Sequence, residues 1–337
     1  MKSISLPASE GNRINALMGL EDAAALIRAG APLAIAGREA ALDRLPAGNW
    51  IAGTTPYFMT ADGGRRIDAN CVFVTDLSGL GDVRVATYGE DELGQITEDA
   101  PENGFALAII PFQSACHERF AKEASSYPQA FLKPTVGWIA GFDLDEAGAS
   151  ASVYDGRTSK AYANQAVVLH VTLPAEACPM VEIVNLFEAD GVDTIRFEEA
   201  GFNPARAVVN GEQVDFAEYV NQRGLSDGSL PLVGDYAGAR INSSIQKVAA
   251  GHVELYAPVF AGIDYAFARP VPAFADTFRA RLDETPHDGA LWSCNCILNY
   301  VFGGLEGQAI GGCAGPVTFG EIAYQLINQT LVQVRAI

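Results

Sequence analysis

The stretch FALAIIPF, residues 105 to 112, decides the class of fold. Its apolar run ALAII is continuous, whereas a strand with one wet face would alternate apolar and polar residues. The run therefore predicts a β-strand that is covered on both faces. CVFVTDL (71 to 77) and VRVATYG (83 to 89) predict further strands, and SACHERFAKEA (114 to 124) predicts a helix. The sequence thus predicts a mixed α+β protein with packed mixed or antiparallel sheets flanked by helices, in two related halves.

A polar, small-residue stretch, DEAGASASVYDGRTSK at residues 145 to 160, predicts a link between the two halves. We expect a flexible arm over residues 1–18, an N-terminal domain over 19–150 and a C-terminal domain over 160–337. A chain of 337 residues is long enough for two domains of ordinary size, each with its own core.

The charge balance limits the classes of partner. The formal net charge is −19, and we find no run of Lys or Arg. Such a surface repels nucleic-acid phosphates and anionic lipid, so neither nucleic acid nor a membrane is expected as a partner. The N-terminal residues contain no apolar run that would serve as a signal-peptide core. We therefore expect a cytoplasmic protein whose six cysteines are reduced.

The charge-poor stretch GPVTFGEIAYQLINQT, residues 315 to 330, contains a single carboxylate, Glu321. Thr318-Phe-Gly-Glu321 matches the Thr-x-x-Glu capping box, in which two side chains satisfy the first backbone N–H groups of a helix. The spacing predicts a helix that begins after Thr318. Such a cap contributes about 1 kcal/mol, so it justifies Thr318 and Glu321 without a ligand. The alternative is that Glu321 faces a site that needs a carboxylate.

Cysteines and histidines form no metal-binding pattern in the sequence. Cys294-Asn-Cys296 places both thiols on one side of a predicted strand, but a structural zinc site needs four ligands and no second pair has suitable spacing. Buried cysteines that act as small hydrophobes are the favoured interpretation. Among the four scattered histidines, His170 lies on a predicted apolar strand, where a hydrogen-bonded core imidazole is the default.

The C-terminal half resembles the FIST sensory-domain family. GPVTFGEIAYQLINQTLVQV resembles the end of its C-terminal domain, and ALWSCNC (290 to 296) is similar to its Ser-Cys strand. In the first half, NWIAGTTPYF (49 to 58) resembles the Gly-x-Thr-Thr strand end of the N-terminal domain. The resemblance is strongest over residues 160–337 and suggests a stand-alone bacterial member.

The resemblance implies a non-enzymatic sensory protein that binds an amino acid or another small metabolite and acts in signal transduction through a separate signalling protein. The expected pocket combines the first-half strand end, Cys294 and the loop from Thr318 to Glu321. Its predicted lining is Thr54, Thr55, Tyr57, Cys294, Thr318, Gly320 and Glu321.

Alternatives to the sensory function remain open at this stage. One is an enzyme with Cys294 or Cys296 as nucleophile, which needs a lowered thiol pKa and a nearby base. Another is a scaffold protein without a ligand. No cofactor is expected, and the alternative is a haem-binding variant with His117 or His170 as the axial ligand.

Overall fold

A computed structural model describes residues 14–285 and 289–337. Among these residues the helices are short and lie between the strands. Their bounds are α1 Leu20–Arg28, α2 Glu39–Leu42, α3 Gln95–Glu98, α4 Ala115–Glu123, α5 Phe216–Gln222, α6 Phe274–Asp283 and α7 Ile297–Phe302.

The strands supply most of the regular structure. In the first part of the chain they are β1 Asn15–Gly19, β2 Leu33–Gly37, β3 Trp50–Thr54, β4 Tyr57–Thr60, β5 Gly63–Arg66, β6 Cys71–Asp76, β7 Val83–Tyr88, β8 Gly104–Pro111, β9 Thr135–Ala140, β10 Val153–Asp155, β11 Lys160–Tyr162, β12 Ala166–Thr172 and β13 Pro179–Val184.

The remaining strands are β14 Ile195–Arg196, β15 Arg206–Val209, β16 Glu212–Asp215, β17 Leu232–Tyr236, β18 Ala239–Ser243, β19 Ile245–Ala249, β20 His252–Leu255, β21 Asp264–Phe267, β22 Ala290–Cys296, β23 Gly315–Thr318, β24 Glu321–Ala323, β25 Gln325–Ile327 and β26 Leu331–Ala336.

Four six-stranded sheets and one strand pair are formed by the described residues. The sheet orders are β1-β6-β2-β3-β10-β11, β25-β24-β9-β8-β12-β7, β13-β26-β22-β23-β4-β5 and β16-β15-β14-β21-β17-β18, with β19-β20 as the separate pair. Most neighbours are antiparallel, but β2 and β3, β8 and β9, and β22 and β23 are parallel. The predicted mixed α+β class with packed mixed and antiparallel sheets is confirmed.

The strand predicted from FALAIIPF is β8, and every residue of it is buried. It lies inside its sheet between β9 and β12. The sheet that contains β3 packs against one face of the sheet that contains β8. The contact is close, because a Cβ atom on Gly53 of β3 would lie 2.6 Å from Cγ2 of Ile109 of β8. Full burial of side chains such as Leu107 and Ile109 stabilises the fold by about 1.5–3 kcal/mol each. The continuous apolar run is therefore explained by cover on both faces.

The C-terminal stretch departs from the sequence prediction. Thr318 ends β23 and Glu321 begins β24, so the predicted helix and its capping box are wrong. β24 pairs with β9, and Glu321 lies opposite Trp138 in that pairing. Pairing with a strand that is distant in sequence satisfies the backbone groups along the whole segment. A cap worth about 1 kcal/mol does not outweigh that pairing and the burial that accompanies it.

Strands from both sides of the predicted boundary share sheets. β24 and β25 extend the sheet of β8 and β9, and β23 pairs with β4. One large hydrophobic core accordingly includes Phe58, Leu107, Trp138, Trp292 and Val332. Of the predicted arm, residues 1–13 lie outside the described part of the chain, and Asn15–Gly19 form β1 against β6. The relation between two halves stays a prediction.

Candidate functional site

The three parallel strand pairs end close together. Thr54, the last residue of β3, donates its hydroxyl hydrogen to the carbonyl of Gly141, just beyond β9, at 2.7 Å. The neighbouring Thr55 hydroxyl donates to the carbonyl of Val317 in β23, also at 2.7 Å. Ligands in open α/β sheets commonly bind beyond the carboxyl ends of parallel strands. A ligand site is therefore expected at this edge.

A cavity of about 450 Å³ lies at the ends of β2, β3 and β9. Its volume is within the ordinary range for small-molecule pockets, roughly 300–1,000 Å³. Charged and hydroxyl-bearing side chains dominate the wall. The lining residues are Arg38, Glu39, Ala40, Asp43, Thr54, Thr55, Pro56, Gly141, Phe142, Asp143, Glu146, Ala149 and Ser150.

Asp143 is the most deeply buried of the charged side chains that line this cavity, with only 4% of its side chain exposed. Arg38 donates to its Oδ2, and Arg66 donates to both carboxylate oxygens, at 2.5 Å from Nη2 to Oδ1. Burial by itself would raise the pKa of Asp143, but the hydrogen bonds from Arg66 and Arg38 outweigh it and lower the pKa to about 2. A fixed carboxylate thus anchors two guanidinium groups at the cavity.

The predicted residues Thr54 and Thr55 line this cavity, but their hydroxyls are used by the protein. Thr54 Oγ1 also accepts from the backbone N–H of Ser152 at 3.0 Å, and Thr55 Oγ1 accepts from that of Tyr57 at 3.2 Å. Both hydroxyls therefore hold the wall together. The Tyr57 hydroxyl donates to Asp143 Oδ1 at 3.3 Å, so Tyr57 helps to hold this carboxylate in position.

The other predicted residues lie in a separate interior cluster around Glu321, whose side chain is completely buried. Thr330 donates its hydroxyl hydrogen to Glu321 Oε2 at 2.8 Å, and Thr318 donates to Oε1 at 3.3 Å. Burial raises the pKa of Glu321 to about 8, although these hydrogen bonds and one from Cys296 act in the opposite direction. Gly320 is packed tightly, because a Cβ atom there would lie 2.8 Å from Leu326.

Both cysteines of the predicted pair belong to this interior cluster. Cys294 and Cys296 are buried, and Cys294 Sγ lies 3.6 Å from the carbonyl of Gly137. Burial, and secondly the charge of Glu321, raises the pKa of both thiols well above the usual range. A nucleophilic cysteine needs the opposite shift, since the thiolate is the reactive form. The geometry favours the interpretation of these thiols as packed core residues.

The structure therefore divides the seven predicted site residues between two places. Thr54 and Thr55 lie at the cavity with Tyr57 behind them, whereas Cys294, Thr318, Gly320 and Glu321 lie inside the protein. The hydrogen bond from Thr55 to Val317 connects the two places. A ligand-binding role stays a prediction for each of these residues.

Sequence reasoning missed Arg38 and Asp143. Each follows a buried strand, Arg38 after β2 and Asp143 shortly after β9. A charged residue directly beyond the carboxyl end of a predicted buried strand is a signal that the sequence contained. What it did not contain is their pairing, because the two residues are 105 positions apart.

The two histidines of the haem alternative are both buried. His170 Nε2 lies 2.7 Å from the hydroxyl of Tyr88, so iron coordination through that atom would require breaking a hydrogen bond. His117 Nδ1 accepts from the backbone N–H of Gln113 at 3.3 Å. Haem binding through either residue stays a prediction.

Across residues 14–285 and 289–337, no group of three or more His, Cys, Asp or Glu side chains is placed to hold a metal ion.

The same described ranges contain no helix that is both long enough and apolar enough to cross a membrane.

The fold and the cavity define a mixed α+β protein in which parallel strand ends enclose a polar pocket. The chain belongs to the family of unknown function DUF6976, whose model matches residues 18–337. The predicted membership of the FIST family is wrong, since no FIST model matches. The sensory and signalling role that was implied through that resemblance loses its basis. No curated protein matches the chain.

Proposed function

We propose that the protein binds a small zwitterionic metabolite of the amino-acid type in the cavity of Arg38 and Asp143. One observation carries the proposal, which is that a buried carboxylate held by two arginines lies in the wall of a 450 Å³ cavity at the ends of parallel strands. Enclosing and ordering such charges costs desolvation free energy, and binding sites are places where that cost is commonly found.

The charges of the wall indicate the ligand's chemistry. The lining contains one guanidinium, that of Arg38, and four carboxylates, those of Glu39, Asp43, Asp143 and Glu146. Because Arg38 and Arg66 neutralise Asp143, the other three carboxylates leave the cavity net negative. An ammonium group is therefore favoured as part of the ligand.

Arg38 offers a place for the ligand's carboxylate. Its Nε donates to the carbonyl of Ile67 at 2.7 Å, and its Nη2 donates to Asp143. The remaining terminal nitrogen, Nη1, lies 3.8 Å from the exposed carboxylate of Glu146. That contact is long and exposed, so it contributes little and a ligand carboxylate can replace it.

A thermal-shift panel tests the proposal. Amino acids, simple amines and simple carboxylates are added separately at about 10 mM, and a ligand that binds the folded state raises the melting temperature. We expect amino acids to stabilise more than either single-charge class. If no member of the panel raises the melting temperature, the proposal is wrong.

Matched variants locate the effect. Glu39→Gln removes one wall carboxylate and should weaken ligand binding by at least about fivefold, measured by calorimetric titration. Arg65→Gln replaces an arginine outside the cavity and should leave the affinity unchanged. An unchanged affinity in Glu39→Gln, Arg38→Gln and Glu146→Gln together would place binding elsewhere.

A further inference from the structure

A second cavity, of about 330 Å³, lies where β8 passes into α4. Phe112, Ser114, His117 and Glu118 line one side of it, and Phe202 and Glu254 come from a distant part of the chain. None of these residues lines the cavity of Arg38. The two cavities are therefore separate.

The turn between β8 and α4 orients His117. Gln113 adopts a positive φ of 59°, which is uncommon for a residue with a side chain and turns the chain sharply. Ser114 then caps α4, because its hydroxyl oxygen accepts from the backbone N–H of His117 at 3.0 Å. The imidazole is thus held at the start of the helix, with Nδ1 bound to the backbone of Gln113.

His117 has an unused hydrogen-bond donor. Its Nδ1 accepts a hydrogen bond, so in the neutral ring the proton is on Nε2. Burial lowers the pKa of His117 to about 4, which keeps the ring neutral at pH 7. Nε2 has no hydrogen-bond partner anywhere in the described ranges, although the side chain is only 3% exposed. Buried donors are nearly always paired, so the geometry indicates a missing partner.

Two aromatic rings pack against the imidazole of His117. The His117 ring centroid lies 5.4 Å from that of Phe112 and 5.7 Å from that of Phe202. His117 thus lines the cavity from α4, and Phe202, which packs against its ring, lines it from a distant part of the chain. The two rings favour a flat apolar body. Glu118 pairs with Lys122 at 2.8 Å and Glu254 lies 3.9 Å from Lys247, so these carboxylates already have basic partners and the wall favours a neutral ligand over an ion.

We infer that this cavity binds a neutral planar heterocycle whose carbonyl oxygen accepts a hydrogen bond from His117 Nε2 while its ring packs against Phe112 and Phe202. This ligand differs in class from the zwitterion proposed for the cavity of Arg38. Neither proposal depends on the other.

Nicotinamide is a suitable probe, because it is a neutral aromatic ring with a carbonyl group. The full chain, labelled at histidine with ¹³C and ¹⁵N, contains four histidines, so the imidazole signals can be resolved. We expect nicotinamide to shift the His117 signal saturably with a millimolar Kd. Benzoate, which has a similar size but carries a negative charge, should bind at least tenfold more weakly.

Three variants distinguish a ligand site from packing. His117→Phe keeps an aromatic ring but has no donor, and it should weaken nicotinamide binding at least tenfold. His117→Gln restores an N–H donor and should recover affinity to within about threefold of the wild type. Glu39→Gln, in the other cavity, should leave nicotinamide binding unchanged.

Two results would overturn the inference. One is the absence of any saturable shift of His117 with nicotinamide, which would mean that water alone satisfies Nε2. The other is equal affinity in the wild type and His117→Phe. If His117→Phe does not fold, nuclear Overhauser contacts between nicotinamide and the rings of Phe112 and Phe202 in the wild type decide the question, and their absence contradicts the inference.

Discussion

The hydroxyl of Thr55 donates a hydrogen bond of 2.7 Å to the carbonyl of Val317, a residue 262 positions later in the chain. Both residues are completely buried. This bond joins the wall of the Arg38 cavity to the strand that leads into the Glu321 cluster. The two regions that contain the predicted site residues are therefore joined by a buried hydrogen bond, even though they do not form one pocket.

Thr55→Val tests that connection. Valine has nearly the same shape, but it leaves the Val317 carbonyl and the Tyr57 N–H without the hydroxyl. We expect a loss of about 1–3 kcal/mol in the free energy of unfolding, the usual cost of an unsatisfied buried polar group. Urea denaturation measures it. Thr60→Val, at the half-buried end of β4, is the control and should cost less than about 1 kcal/mol.

Asp143→Asn should destabilise the protein by about 2–3 kcal/mol. The change leaves Arg38 and Arg66 facing a neutral amide, and breaking a fully buried pair costs about 3–5 kcal/mol. The expected value is lower because the two arginine side chains are 26% and 36% exposed. Asp145→Asn, where the carboxylate is exposed, should cost less than about 0.5 kcal/mol. Equal effects of the two changes in urea denaturation would contradict this assignment.

Asp143 also predicts a loss of stability in acid. Its folded pKa of about 2 lies below the usual value of 3.8, so the unfolded chain binds the proton more readily. The stabilisation is complete above about pH 4 and is lost as the pH falls towards 2. Denaturation of the wild type and of Asp143→Asn at pH 5, 4 and 3 measures it. The difference between their unfolding free energies should shrink across that series.

Glu321 predicts the opposite dependence. Its folded pKa of about 8 lies above the usual value of 4.5, so the folded state holds the proton more tightly. Its contribution to stability is present below pH 4.5 and is lost as the pH rises towards 8. Glu321→Gln removes this titration and should therefore become more stable relative to the wild type between pH 5 and pH 8. The exposed Glu306→Gln is the control, and a pH-independent difference for Glu321→Gln would show that Glu321 is already ionised.

Thiol labelling tests the interpretation of the cysteines. Cys178 is exposed, whereas Cys294 and Cys296 are buried. In the native protein, iodoacetamide should modify Cys178 at least about a hundredfold faster, since the buried thiols react only after local unfolding. Mass spectrometry of timed samples gives the order of modification. Rapid labelling of Cys294 or Cys296 would restore the nucleophile hypothesis.

Much of the fold was predictable because the signals are local. Ala115–Glu123 is a helix, and the apolar run after Gly104 is a strand, as the local sequence pattern indicated. Thr54 and Thr55, which were predicted to bind a ligand, line a cavity, but their ligand-binding role stays a prediction. The resemblance to FIST was wrong, since it depended on short stretches of sequence, whereas the DUF6976 model matches residues 18–337.

The candidate site was predicted less well. Glu321 was recognised as unusual, but its local pattern indicated a helix cap, and the structure places it at the start of a buried strand. His117 appeared only as a haem alternative, although it lines a second cavity and its Nε2 has no hydrogen-bond partner among the described residues. In both cases part of the side chain's environment comes from segments that are distant in sequence, with Cys296 beside Glu321 and Phe202 beside His117.

The sequence by itself determined the mixed α+β class, the two-sided burial of β8 and the start of α4, because residue periodicity and capping act within a few positions. Only the tertiary structure decided that Arg38 and Arg66 meet Asp143 and that Glu321 is enclosed without a cation in the described part of the chain. Strand pairing across long separations satisfies whole rows of backbone groups and buries both sheet faces. Those contributions outweigh a local preference worth about 1 kcal/mol.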